Sequence, residues 1–218
     1  MSRVIVFGGH GRIALLLAPL LVERGDEVTA IIRNPDHVAD VEATGAAAVV
    51  ADVEQLDVAA LAQIIRGHDA VVWSAGAGGG SPERTYAVDR DAAIRTMDAA
   101  ASAEVRRYVM VSWIGSTADH GVAEDDGFFP YADAKWAADE HLRNADLDGT
   151  ILGPGTLTLD EPTGRIELDP DGRGEVSRAD VAAVIVAALR EPCTIGRTIR
   201  FGNGPRGSAL AIDTAIGC

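Results

Sequence analysis

The sequence predicts an α/β fold, namely a doubly wound parallel sheet covered on both faces by helices to give three α/β/α layers. Short apolar runs alternate with helical segments along the 218 residues, and this alternation is typical of parallel strands joined by right-handed crossovers. The runs Val4–Phe7, Ala30–Ile32 and Val109–Val111 are apolar throughout, as in strands buried on both faces. The length suits a single domain over residues 1–218 with a small C-terminal extension.

Turn residues separate the predicted elements. Strand Arg3–Phe7 ends at a glycine turn, and helix Ile13–Val22 ends before strand Glu27–Arg33. Further strands are predicted at Ala47–Asp52, Asp69–Ser74, Arg107–Trp113, Thr150–Leu152, Arg165–Leu168 and Arg197–Phe201. Further helices are predicted at Pro35–Ala43, Asp57–Arg66, Pro82–Ala103, Tyr131–Asn144 and Val181–Arg190. The tail from Gly202 is weakly patterned, and we expect its end to fray.

The first turn has the composition of a nucleotide-binding βαβ unit. It reads Gly8-Gly9-His10-Gly11-Arg12-Ile13-Ala14 and lies between a predicted strand and a predicted helix. Gly8 allows a tight turn, Gly11 allows the backbone to approach a diphosphate, and Ala14 permits close packing of the helix on the strand. The diphosphate would lie at the helix N terminus, where unpaired N–H groups and the helix dipole favour an anion. A plain tight turn is the alternative.

Composition limits the class of partner. The excess of 33 acidic over 19 basic residues gives a net charge of -14, which disfavours binding to nucleic acid. The first strand begins by residue 3 and no apolar run approaches the ~20 residues needed to cross a bilayer, so we expect a cytoplasmic protein with no membrane partner. Cys193 and Cys218 indicate neither a disulfide framework nor a metal site. The oligomeric state stays open.

Ligands of such sheets bind beyond the carboxyl ends of the strands, where the strand order reverses. The candidate residues at those ends, besides the glycine turn, are Arg33, Asp52, Ser74, Ala75, Gly76 and Ser112. Arg33 occupies the position where NAD-preferring sites usually have Asp or Glu, and its charge would attract the 2′-phosphate of NADP. Arg12 is a second cation within reach of that end. The sequence favours NADP over NAD, the alternative being that Arg33 stacks on the adenine or faces water.

The only lysine, Lys135, follows Tyr131 by four residues, whereas the other 18 cations of the chain are arginines. This spacing places both side chains on one face of a helix. A nearby ammonium stabilises the phenolate and lowers the tyrosine pKa from about 10, which makes the pair a usable general acid and base. The ammonium could also donate to two ribose hydroxyls. The alternative is an ordinary solvated helix face.

Together these motifs resemble the short-chain dehydrogenase/reductase superfamily, and specifically its small atypical NAD(P)-binding branch, which includes flavin/biliverdin reductases and NmrA-like proteins. The likeness covers residues 3–204 and rests on the glycine turn, the strand that ends at Ser112, and the Tyr131/Lys135 pair. It implies a Rossmann-type fold. It also implies that Ser112 orients or polarises a substrate carbonyl, that Tyr131 donates a proton, and that Lys135 holds the nicotinamide ribose and tunes Tyr131.

The resemblance implies two further features. Asp52 and Val53 would contact the adenine edge. Gly153-Pro154 stands where relatives usually carry Arg-Pro, so a contact to cofactor or substrate is missing from the expected set.

The sequence therefore predicts an NADP(H)-dependent oxidoreductase that reduces a small carbonyl, quinone or flavin-like acceptor by hydride transfer, with Tyr131 as proton donor. NAD stays possible as the cofactor. The substrate wall is expected from residues 115–130 and 153–175. A non-catalytic NAD(P)-binding redox sensor and an NAD(P)-dependent epimerase or dehydratase are the two alternatives.

Overall fold

A computed structural model describes residues 1–204 and 209–217. Its main sheet has nine strands in the order β11-β8-β10-β6-β5-β4-β1-β2-β3, and β7 pairs with β9 in a small separate sheet. The strands are β1 (Arg3–Phe7), β2 (Glu27–Ile32), β3 (Ala47–Val50), β4 (Ala70–Trp73), β5 (Arg107–Val111), β6 (Asp148–Pro154), β7 (Thr156–Thr158), β8 (Arg165–Leu168), β9 (Glu175–Ser177), β10 (Thr198–Gly202) and β11 (Leu210–Ala211). The doubly wound architecture predicted from the sequence is confirmed.

Helices cover both faces of the sheet. They are α1 (Ala14–Glu23), α2 (Val38–Glu42), α3 (Val58–Ile65), α4 (Pro82–Thr85), α5 (Ala93–Ser102), α6 (Phe129–Asn144), α7 (Arg178–Arg190) and α8 (Ile212–Ile216). Successive side chains of β1 point to opposite faces of the sheet and pack with different helices. Val4 and Val6 pack with Leu17 of α1 on one face. Ile5 and Phe7 pack on the other face, with α3, α5 and α6. A Leu17→Ala change in this core would cost about 2–5 kcal/mol.

The order of strands creates a cleft beside β1. This strand pairs in parallel with β2 on one side and with β4 on the other. The chain leaves β1 towards β2 and returns from β3 to β4, so the connections on the two sides diverge at this point. A ligand site is expected at the carboxyl ends of β1 and β4, where neighbouring loops turn away from each other.

The predicted helix Pro82–Ala103 is not a regular α-helix along its whole length, which the sequence did not indicate. Between α4 and α5, Tyr86–Ala92 form a π-helix. Such a wide turn inserts an extra residue into the helical ladder, and π-turns are frequent at functional sites. Asp89, in the middle of this turn, is buried with 2% of its surface exposed.

The C-terminal part corrects several expectations. The sheet is not wholly parallel, because β8 runs antiparallel to both β10 and β11. In the weakly patterned tail from Gly202, Ile212 and Ile216 of α8 belong to the core. Cys193 is disulfide-bonded, contrary to the expectation of no disulfide, and Cys218 lies outside the described residues. No helix within the described ranges is long and apolar enough to span a membrane.

Candidate functional site

A cavity of about 560 Å³ opens at the carboxyl ends of the strands beside β1. Its wall contains nearly all the residues that the sequence singled out, namely Gly8, Gly9, His10, Gly11, Ile13, Arg33, Asp52, Val53, Ser74, Ala75, Gly76, Ser112, Tyr131 and Lys135. These residues come from the ends of five strands and from α6, and only the tertiary fold brings them together. The volume is in the range of pockets that hold small organic ligands.

The glycine turn forms a cradle into which no side chain fits. Gly8 has a φ of +81°, and a Cβ atom added to it would lie 2.6 Å from Cα of Ala75. A Cβ on Gly11 would lie 3.0 Å from the carbonyl oxygen of Gly8. These contacts show why residues larger than glycine are excluded at the two positions.

The N terminus of α1 is open to an anion. Its N-cap residue Ile13 provides no side-chain hydrogen bond. Within the described residues, the backbone N–H groups of Arg12 and Ile13 donate to no backbone carbonyl. Unpaired amides at the positive end of a ten-residue helix suit a diphosphate. The cradle and these amides therefore fit the diphosphate of a dinucleotide.

Arg33 lies at the far end of the cavity, beyond β2, but its charge is engaged. Its guanidinium donates to Oε1 of Glu54 at 2.9 Å, and Arg84 from α4 approaches the same oxygen at 3.5 Å. The Arg33 side chain is 56% exposed and Glu54 is 19% exposed. Glu54 and Arg84 also line the cavity. Sequence reasoning missed both, since nothing in the local pattern distinguishes them from other surface charges.

Two histidines add to this end of the cavity. The rings of His10 and His37 stack with centroids 3.6 Å apart, and Nε2 of His10 lies 3.0 Å from Oδ2 of Asp40. Both histidines line the cavity. The stack joins the glycine turn to the segment that follows β2, and it fixes the width of the cavity at this end.

Arg12 is placed differently from the other candidate residues of the glycine turn. It is exposed and is absent from the cavity wall. Burial lowers the pKa of Arg178 at the start of α7, and the charge of Arg12 lowers it further. Arg178 in turn donates to the carbonyls of Leu157 and Thr158 in β7. The charge of Arg12 therefore acts on the start of α7, which packs beside α1, and its contact with a 2′-phosphate stays a prediction.

Tyr131 and Lys135 lie in the same wall, but the electrostatics differ from expectation. Lys135 is 1% exposed, and its Nζ donates to the carbonyl oxygen of Val111 at 2.7 Å. Burial lowers the pKa of Lys135, while the carboxylates of Asp89 and Asp139 raise it. Burial and the same two carboxylates raise the pKa of Tyr131 far above its usual value. The expected lowering of the phenol pKa by Lys135 is therefore wrong for the protein without ligand.

Two buried carboxyls flank the ammonium, and sequence reasoning missed both. Asp89 accepts a hydrogen bond from the N–H of Ala77 at 2.9 Å. Asp139 accepts hydrogen bonds from the hydroxyls of Ser112 and Ser116. Burial raises the pKa of both carboxyls, and the charge of Lys135 opposes the rise. One feature of the sequence could have indicated these buried carboxyls. Each is an aspartate among small apolar residues on the inner face of its helix.

A second cavity of about 300 Å³ adjoins the first. Asp89 and Tyr131 line both cavities, so they stand at the junction. Pro82, Phe128 and Pro130 form apolar wall, opposite the glycines of residues 76–80. Phe128 and Pro130 belong to the segment 115–130, whereas from segment 153–175 only Leu157 reaches a described cavity. That these segments bind a substrate stays a prediction.

Gly153, which stands where the resemblance implies an arginine, is closely surrounded by other atoms. Gly153 lies in β6 opposite Arg200 of β10. A Cβ on Gly153 would be 3.2 Å from the carbonyl oxygen of Trp113 and 3.4 Å from Cγ of Arg200. A long side chain at this position would require the neighbouring backbone to shift.

This topology, with a glycine cradle, an uncapped helix N terminus and a Tyr/Lys pair at the strand ends, defines a dinucleotide-binding protein of the Rossmann type. The chain belongs to the NAD(P)H-binding family, whose sequence model matches residues 8–192. The NAD(P)-binding class and the Rossmann-type fold that the resemblance implied are confirmed.

Relatives cover almost the whole chain. The uncharacterised sugar epimerase YhfK of Bacillus subtilis is 34% identical over 215 residues, which are 96% of this chain and 98% of YhfK. A Bacillus halodurans structure assigned as an NAD-dependent epimerase/dehydratase superposes with a TM-score of 0.90 at 30% identity, over 99% of both chains. The oxidoreductase ylbE of Lactococcus lactis superposes with a TM-score of 0.86 at 30% identity, over 98% of this chain and 94% of ylbE.

Proposed function

We propose that this protein is an NADP(H)-dependent oxidoreductase that reduces a small carbonyl, quinone or flavin-like acceptor. The observation that carries the proposal is the junction of the two cavities. Tyr131 stands between a cleft that fits a dinucleotide and an apolar cavity with room for an acceptor. A donor at such a junction can contact the reacting atoms from the acceptor side while the cofactor lies on the other.

The binding roles follow from the contacts. The free amides of Arg12 and Ile13 would hold the diphosphate. An ammonium carries three protons, and Lys135 uses one on the Val111 carbonyl, so it can offer others to ribose hydroxyls. The backbone of Ala75 and Gly76 lies against the middle of the cleft.

Tyr131 would supply the proton. When bound, a reduced nicotinamide would supply a hydride to the acceptor, and the oxygen of a carbonyl or quinone acceptor would then need one proton. The Tyr131 hydroxyl is protonated at neutral pH and can donate to that oxygen as negative charge develops there, but its raised pKa makes it a weaker acid than its spacing to Lys135 predicted. The apolar wall at Phe128 and Pro130 limits competing hydrogen bonds from water.

Arg33 supports NADP rather than NAD. A 2′-phosphate would compete with Glu54 for the guanidinium and would form a charge-assisted, bidentate pair with it. Asp52 and Val53, at the end of β3, would contact the adenine edge.

An epimerase or dehydratase is a second candidate, because the names of two full-length relatives point to that class. In such an enzyme the oxidised cofactor would accept a hydride from the substrate and return it within one turnover. It would therefore remain bound through purification and would consume no external NADPH.

The test is a titration of the apoprotein with NADPH and with NADH, followed by nicotinamide fluorescence. Quinone, aldehyde and flavin acceptors are then added and oxidation of the nicotinamide is recorded. Tighter NADPH binding and turnover of at least one acceptor class support the proposal. Tighter NADH binding contradicts the role of Arg33, and tight binding without any turnover favours a redox sensor.

A further inference from the structure

Asp139 lies on α6 one turn after Lys135 and is completely buried. Its Oδ2 atom accepts hydrogen bonds from the hydroxyls of Ser112 and Ser116, both at 2.5 Å. Its Oδ1 atom has no hydrogen-bond partner within the described part of the chain. The two serines differ in one respect, because Ser112 lines the large cavity and Ser116 does not.

A hydroxyl has one proton to donate and two lone pairs that accept. While Asp139 is ionised, Ser112 directs its proton inwards to the carboxylate. It then presents only lone pairs to the cavity. In that state Ser112 cannot polarise a carbonyl, which is the role implied by the family pattern.

We propose that Asp139 is a positioning residue that sets the direction of the Ser112 hydroxyl. With Asp139 ionised, Ser112 is an acceptor towards the cavity. When a proton occupies Oδ2 and is donated to Ser112, the hydroxyl of Ser112 turns outwards and donates to the acceptor oxygen. The donation from Ser112 to an acceptor rests on the proposed function. The coupling of Asp139 to Ser112 does not depend on it.

The charges around Asp139 allow both states. On α6, Lys135 and Arg143 favour the carboxylate, and the serine hydroxyls favour it as well. Burial opposes them and raises the pKa of Asp139. Asp89, from the π-helix across the ammonium, competes for the charge of Lys135, and Tyr131 faces Asp139 as a neutral phenol. One buried ammonium between two carboxyls leaves a net negative charge, which the uptake of one proton removes.

The first measurement needs no acceptor. Infrared difference spectra of the NADPH complex are recorded across mildly acidic to neutral pH for the wild type, Asp139→Asn, Ser112→Ala and Ser116→Ala. We expect a protonated-carboxyl band in the wild type that is absent from Asp139→Asn and shifted in both serine variants. A missing band, or a band unchanged in Ser112→Ala, overturns the proposal whether or not any acceptor is turned over.

The second measurement is the pH profile of turnover with an acceptor that the wild type reduces. We expect turnover to rise by about tenfold as Asp139 becomes protonated, the effect of one added hydrogen bond in the transition state. The rise should vanish in Asp139→Asn and in Ser112→Ala. In Ser116→Ala it should persist with its midpoint at higher pH, because the carboxylate loses one donor.

Ser116→Ala is the matched control, since it removes an equal hydrogen bond from the same oxygen but no group from the cavity wall. A purely structural role of Asp139 predicts the same pH profile for both serine variants. That result, or a rise that survives in Asp139→Asn, overturns the proposal. The serine variants carry the test if Asp139→Asn does not fold.

Discussion

Replacing Gly8 by alanine should damage both the fold and the cofactor site, and the size of the effect can be worked out from the turn. The φ of +81° costs an L-residue about 1–2 kcal/mol. The new methyl group would also lie 2.6 Å from Cα and 2.7 Å from N of Ala75. Both atoms belong to the backbone, so relief requires β1 and the segment after β4 to move apart.

Gly25 supplies the matched control. It follows α1 with a φ of +90°, and a Cβ added there meets no atom within 4 Å. Gly25→Ala therefore carries the conformational strain without the steric clash. We expect it to lower the free energy of unfolding by about 1–2 kcal/mol and to leave cofactor affinity unchanged. Gly8→Ala should cost a further 1–3 kcal/mol or so, which is the usual cost of overpacking.

The assay is urea unfolding of both variants with and without NADPH, together with nicotinamide fluorescence titration. In Gly8→Ala the added methyl group would displace the turn that carries the free amides. We therefore expect NADPH affinity to fall by at least about tenfold in Gly8→Ala and not in Gly25→Ala. Equal losses of unfolding free energy and equal NADPH affinities in the two variants would show that the close approach of Gly8 to Ala75 contributes nothing. That result would refute the claim that this turn must be glycine in order to bind the diphosphate.

Three further changes test the rest of the site. Tyr131→Phe should lower turnover by about 100-fold while NADPH binding stays nearly unchanged, and equal turnover would remove the phenol from the mechanism. Arg33→Ala should weaken NADPH binding by about tenfold in fluorescence titrations and leave NADH binding unaffected, so an equal loss for both cofactors contradicts a 2′-phosphate contact. The raised pKa of buried Asp89 means that its contribution to stability is fully present at pH below its unfolded pKa and is lost as pH rises through its folded pKa. Asp89→Asn should therefore flatten the fall of unfolding free energy with rising pH, and an unchanged slope would show that Asp89 titrates normally.

The sequence alone determined the frame of this protein. The uninterrupted apolar runs of β1, β2 and β5 required burial on both faces, and the helices between them required crossovers. The glycine turn was readable because glycine is the residue that meets its φ and its close contacts. Local chemistry of this kind acts between near neighbours in the chain, which is why the pattern of residues contains it.

Only the tertiary structure decided the charges of the site. Asp89 reaches Lys135 from the π-helix, far away in the sequence, whereas Asp139 lies four residues after Lys135 on the same helix. Spacing could therefore indicate one of the two carboxyls that share the ammonium, and only the fold adds the other. The guanidinium of Arg33 is held by Glu54, because side-chain direction depends on elements that are far apart in sequence. Electrostatic energies depend on the distances between charges and on their burial in the folded protein, and neither quantity can be obtained from the order of residues in the chain.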